Sequence, residues 1–146
     1  MSVRPSAGQP LSCHCGALSP RYGGNGQLGI GSTQNQNDGA DVPVVGSGSF
    51  SARVTDLQCG ERYCCLLLAD GNMWCWGQNN VGQLGDGTED DRDVPVLVAD
   101  LAGKVVSMRV EAFTVCALTS WGRGQLYCWA SVVALLSRCC RAFVTL

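Results

Sequence analysis

The residues of this chain with chemistry to offer are ten cysteines, a single histidine and one acidic cluster, and their spacing decides which chemistry is open. Cys13-His14-Cys15 carries metal-ligand residue types. Its one-residue spacing is tighter than that of a zinc knuckle, and only Cys139-Cys140 stands ready to complete it, so it reads as a group of reactive thiols rather than a metal site. A histidine-based triad or a cysteine nucleophile with its base would have to use His14, which falls in a stretch with no periodic apolar pattern. Asp86, Glu89, Asp90, Asp91 and Asp93 crowd around Arg92 on one polar loop. Nothing beside them would raise a carboxyl pKa, and they lack the fixed ligand order of a calcium loop. The cluster reads as a solvated loop, with contact to a basic partner as the alternative. The chain is therefore read as a non-enzyme, with no cofactor and no bound metal.

Four further cysteines form a pattern. Cys65 and Cys75 flank Ala69-Asp70-Gly71-Asn72, and Cys116 and Cys128 flank Ser120-Trp121-Gly122-Arg123-Gly124. A three-residue loop centred on Asp70 sets Cys65 directly opposite Cys75, within reach of a bridge if the pair is not hydrogen-bonded. Each pair reads either as a disulfide or as two small buried hydrophobes in reduced form. The reduced reading is favoured, because no signal peptide is visible and no Asn-x-Ser/Thr sequon occurs. The expected compartment is cytoplasmic or nuclear, and extracellular if the cysteines are bridged.

The elements that must position these residues are set by a repeat. Tyr22-Gly23-Gly24-Asn25-Gly26-Gln27-Leu28-Gly29 returns as Trp76-Gly77-Gln78-Asn79-Asn80-Val81-Gly82-Gln83-Leu84-Gly85, and a third aromatic follows at Trp129. Asp41-Val42-Pro43-Val44 returns as Asp93-Val94-Pro95-Val96. A period of this order signals stacked supersecondary units. Each unit opens with a strand, in which Thr55, Leu57 and Cys59 match Val106, Met108 and Val110 and polar Ser107 and Arg109 alternate with them. A hairpin follows, with Asp70-Gly71 between two apolar runs as its turn signal. After each hairpin the glycine-rich stretch lets the chain turn sharply. Gly24, Gly26 and Gly29 match the spacing of a dinucleotide fingerprint, but no buried strand precedes them and no helix follows, so the match reads as a turn.

Cys65 to Thr88, with Cys75-Trp76-Gly77, Asn79 and Gly82-Gln83-Leu84-Gly85 at its centre, resembles the repeat of the regulator of chromosome condensation family. The resemblance covers roughly residues 22–129. It implies an all-β fold, a partial β-propeller of about two four-stranded blades, where complete members of the family have seven. The residues expected to shape the repeat are Gly26, Gln27, Leu28, Gly29, Trp76, Gly77, Gly82, Gln83, Leu84, Gly85 and Trp129, with the two tryptophans packed on the sheet and ordering the glycine turn that follows them. Tyr63 and Thr114 stand where the family usually has a histidine. The expected division is a disordered head at 1–21, repeat units at 22–75 and 76–129, and a non-repeat tail at 130–146. A tail outside the family pattern is the first reading there, and a helix docked on an open blade edge the second.

At 146 residues the chain holds only about two units, and repeat arrays need roughly three before they are stable alone. It is expected to be part of a larger propeller. The net charge of −2 offers no basic footprint for nucleic acid, and the apolar run in the tail is too short and too broken by arginines to span a membrane. The expected partner is another protein of unknown identity. The alternatives are a small GTPase whose nucleotide exchange the chain promotes, as the resemblance implies for Ran, and a truncated product without function.

Overall fold

The computed structural model describes residues 24–34, 50, 52–122 and 124–130. The head, the linker with Asp41-Val42-Pro43-Val44 and the tail beyond Ala130 lie outside these residues, as do the expected head disorder, the tail helix and Cys13-His14-Cys15 with Cys139-Cys140.

Among the described residues seven strands follow one another: β1 (Val54–Cys59), β2 (Tyr63–Leu68), β3 (Met73–Gly77), β4 (Arg92–Leu97), β5 (Val105–Val110), β6 (Thr114–Thr119) and β7 (Gln125–Ala130), with one 3₁₀ turn at Ala99–Leu101. They pair in sequence order into a four-stranded sheet, β1 to β4, and a three-stranded sheet, β5 to β7. All described pairings are antiparallel. The β2–β3 hairpin closes on Asp70-Gly71, where Gly71 N donates to Leu68 O at 3.0 Å and Leu68 N to Asn72 O at 2.9 Å. The Asp70 carboxylate accepts from Asn72 N at 3.0 Å, an Asx turn that holds the chain in this reversal.

β2 is buried along its whole length and reads Tyr-Cys-Cys-Leu-Leu-Leu without a polar residue, because both faces of the first sheet are covered. Cys65, Leu67, Met73 and Cys75 face the second sheet and meet Met108, Val115, Ala117 and Trp129 there. Cys64, Leu66 and Trp76 form the opposite face, with Leu57, Phe50 and Trp74. The seam is reinforced by polar groups. Gln58, nearly fully buried, donates through Nε2 to Met108 O at 3.0 Å and accepts through Oε1 from Val110 N at 3.0 Å, extending backbone pairing from β1 to β5.

The strand alternation expected at the start of each unit needs one correction. The register shifts between Val105 and Ser107, as it does between Val54 and Asp56 in the first copy. This irregularity turns Val105 inward and leaves Val106 54% exposed, so the inward set is Val105 and Met108 rather than Val106 and Met108.

Candidate functional site

Each glycine-rich loop packs beneath a tryptophan of the sheet that follows it. Gly29 N donates to Gly26 O at 2.9 Å and Gly85 N to Gly82 O at 3.1 Å, closing matching turns. The side chain of the intervening glutamine turns back to accept a backbone amide, Gln27 Oε1 from Asn25 N at 2.9 Å and Gln83 Oε1 from Val81 N at 3.0 Å. With the side chain so engaged, the glutamine carbonyl takes the indole: Trp76 Nε1 donates to Gln27 O at 3.1 Å and Trp129 Nε1 to Gln83 O at 3.0 Å. Leu28 and Leu84 fill the core below.

Gly29 and Gly85 complete the fit. Both have positive φ, +65° and +67°, and a Cβ on either would come within 2.7 Å and 2.9 Å of the indole of Trp76 or Trp129. No other residue has both the conformational freedom and the empty volume. Gly77 ends β3 opposite Tyr63, where a Cβ would meet the Arg62 carbonyl at 2.5 Å. The expectation that each tryptophan orders the turn after it is therefore corrected: Trp76 holds the turn before it, at Gln27 to Gly29, and Trp129 the turn at Gln83 to Gly85. The indole sits on the sheet face toward the preceding unit, and only the preceding loop can reach it.

Two loops are joined through the acidic cluster. The Asp91 carboxylate accepts from Asn79 N at 2.7 Å and from Asn25 Nδ2 at 3.1 Å, so it ties the loop of one repeat to that of the next. Asn79, fully buried, donates to Thr88 O at 2.9 Å and Asp86 Oδ1 at 3.1 Å and accepts from Leu84 N at 2.9 Å. Asp86 also takes Thr88 N, Thr88 Oγ1 and Arg92 Nε, at 3.0, 2.8 and 2.9 Å. Burial acts to raise the Asp86 pKa, but the hydrogen bonds from Thr88 and the Arg92 guanidinium outweigh it and hold the carboxyl below its ordinary value. The reading of a solvated loop thus holds for Glu89 and Asp90 and is corrected for Asp86, whose carboxylate is an internal tie; Asp91 is exposed like Glu89 and Asp90, and its carboxylate nonetheless joins the two loops. Asn79 was legible only as part of a motif, and nothing in its spacing singled out its role.

The cysteines fall in register. Cys65 pairs with Cys75 and Cys116 with Cys128 on adjacent strands, each pair with Cα atoms 4.1 Å apart and sulfurs in contact. A third pair, Cys59 with Cys64, joins β1 to β2 at a Cα distance of 4.0 Å. Sequence reasoning passed over it because the second copy has Val110 and Val115 at these positions.

Above the second loop a cavity of about 720 Å³ opens between Gly85, Glu89, Lys104, Trp121 and Tyr127. Trp121 is 64% exposed, and Lys104 Nζ lies 5.1 Å from its ring centroid. Among the described residues no group of three or more His, Cys, Asp or Glu is arranged to hold a metal ion.

Successive antiparallel sheets stacked face to face, each locked to the loop before it by one indole, define blades of a β-propeller. Residues 22–67 and 70–118 match the regulator of chromosome condensation (RCC1) repeat, and the chain belongs to that family. It is 30% identical over 108 residues to the E3 ubiquitin-protein ligase HERC2 of Homo sapiens, which covers 73% of this chain and 2% of that protein. It is 29% identical over 112 residues to the mitochondrial RCC1 domain-containing protein RUG3 of Arabidopsis thaliana, covering 71% of this chain and 25% of that one. Among solved structures, Prp20p of Saccharomyces cerevisiae superposes with a TM-score of 0.60 at 25% identity, over 86% of this chain and 30% of the other. Human WBSCR16 gives 0.59 at 21% identity over 74% and 27%, a likeness of fold. The chain thus spans a third or less of each of these relatives.

Proposed function

We propose that the chain is a non-enzymatic protein-interaction module, two blades' worth of a larger propeller divided into units at 22–75 and 76–129. The observation that carries this is where the repeat residues go. Trp76 and Trp129 spend their indole N–H on the preceding loop and Gln27, Gln83 and Asn79 spend their side chains within their own loops, while Glu89, Trp121 and Tyr127 stay exposed around one cavity. An exposed aromatic ring beside charged residues is the composition of a protein contact. The second sheet supports membership of a larger ring: Leu118 and Leu126 are 38% and 43% exposed where their counterparts Leu67 and Met73 in the first sheet are buried.

The test is capture of a partner by the immobilised chain, its identification, and a binding titration with Trp121→Ala and Glu89→Ala. The reading requires both variants to keep their thermal transition and to weaken the contact. A second reading, promotion of nucleotide exchange on a small GTPase, rests on the likeness to Prp20p, which is described with its binding properties to Gsp1p and histones. Release of labelled nucleotide from Ran, with and without the chain, separates the two.

A further inference from the structure

Cys64 stands between two partners on one face of the first sheet. It is opposite Cys59 of β1 and opposite Trp76 of β3, so the three side chains form one row over adjacent strands. Its sulfur meets that of Cys59 on one side. On the other it lies 3.8 Å from the carbonyl oxygen of Gln27, the same oxygen that takes the Trp76 indole at 3.1 Å. A thiol donates to a carbonyl, weakly, whereas a disulfide sulfur has no proton to give. Linking Cys64 to Cys59 therefore removes one donor from Gln27 O. The pairing of β1 with β2 already holds the two cysteines together, with Cα atoms 4.0 Å apart, so in the folded chain the donor is what the link changes. The second unit is built without it: the equivalent row is Val110, Val115 and Trp129, in which neither valine can donate, and Gln83 O takes the Trp129 indole.

We propose that Cys59 and Cys64 form a redox switch on the hold that the first sheet has over the loop at Gln27 to Gly29. As a thiol, Cys64 shares Gln27 O with Trp76; as a disulfide it withdraws, and the indole remains. The oxidant is a low-molecular-weight disulfide. Attack begins at Cys59, which is half-buried beside the exposed Glu61 and Arg62 of the β1–β2 turn, whereas Cys64 is fully buried. The Cys59 thiolate attacks one sulfur of the small disulfide and expels the other; the Cys64 sulfur then attacks that of Cys59 and expels the second small thiol. Two electrons pass to the small disulfide, and the protons of the two cysteines end on the two thiols released. Excess small thiol reverses both steps. Cys65 stays out of the exchange, because it points to the opposite face of β2, toward Cys75. The loop concerned is the one whose Asn25 donates to Asp91 of the next loop, so the switch acts on the joint between repeats and not on the Trp121 surface.

Hydrogen exchange of the 146-residue chain tests the proposal, read by mass spectrometry in excess glutathione and again in excess glutathione disulfide. Non-reducing peptide maps of the same samples score the Cys59–Cys64 link. Residues 25–29 report the switch, and 81–85 of the second loop are the internal standard. The expected result is exchange at 25–29 that is roughly two- to fivefold faster in the oxidised chain, the worth of one weak hydrogen bond, with 81–85 unchanged. Cys59→Val copies Val110 and leaves Cys64 a thiol, so it is expected to keep the slow exchange in both buffers. Cys64→Val copies Val115 and is expected to show the fast exchange in both. A formed Cys59–Cys64 link with unchanged exchange at 25–29 would overturn the proposal. So would a response that survives in Cys59→Val, or failure of the link to form at any ratio of the two glutathiones.

Discussion

The Tyr63 hydroxyl donates to the backbone carbonyl of Glu111 at 2.7 Å, across the seam between the two sheets, and lies 3.0 Å from the Thr114 carbonyl. Tyr63 is fully buried, and its phenol fixes one blade to the turn of the next. Burial pushes its pKa up, and the Glu111 charge adds to the shift. The neutral phenol is thus the form that folding favours. Its contribution is fully present below the ordinary tyrosine value of 10.0 and is lost as pH rises from there toward the higher value of the folded chain. Tyr63→Phe is expected to cost about 1–3 kcal/mol at neutral pH, since Glu111 O loses a buried donor. Denaturant titrations at neutral pH and above 10 check this: the variant is to show a flatter alkaline decline than the parent.

Gly85 and Gly87 separate contact from conformation. Both have positive φ, +67° and +81°, so alanine strains the backbone at either. At Gly85 the new Cβ would meet the Trp129 indole at 2.9 Å, whereas at Gly87 nothing lies within 4 Å. Gly85→Ala is expected to destabilise by about 1–3 kcal/mol more than Gly87→Ala. Near-ultraviolet circular dichroism during thermal unfolding reads both the stability and the indole's environment. Equal effects of the two substitutions would remove the indole from the argument.

The repeat made much of this legible in advance. Trp76 and Trp129 advertised their equivalence by recurring with the same neighbours, and Asp70-Gly71 fixed the register that sets Cys65 opposite Cys75. Contacts between units were not legible, because periodicity reports which residues are equivalent and not which copy they touch. That is why the indoles were assigned to the turn after them. Asp86 misled for a related reason: a run of acids looks solvated until the amide of Thr88 is seen to point at one of them. Val106 was misplaced because alternation carries no sign of an irregular register.

The cysteine pairs make a chemical prediction. Cys64 and Cys65 are neighbours on β2 and point to opposite faces, so Cys59–Cys64 and Cys65–Cys75 cannot exchange partners without leaving the sheet. Peptide mapping under non-reducing conditions after mild oxidation is expected to give these two links and Cys116–Cys128, without crossed products. Crossed links between Cys64 and Cys75 would contradict the register.

Asp86 predicts the acid behaviour of the loop. Its side chain is 8% exposed and receives Thr88 and Arg92, whose hydrogen bonds prevail over the burial that opposes ionisation. A carboxyl held below its ordinary value contributes stability that is fully present above that value, 3.8, and is lost as pH falls through the lower value of the folded chain. Asp86→Asn keeps the shape and loses the charge. It is expected to cost about 1–3 kcal/mol at neutral pH, mostly through the amide and hydroxyl of Thr88, because Arg92 is 35% exposed and its attraction is screened. Below pH 3.8 the parent is expected to fall toward the variant, so that the gap between their unfolding midpoints narrows with acid. Thermal unfolding of both proteins across that range measures the gap. A difference that stays constant with pH would show that the ionised carboxylate is not what secures the loop.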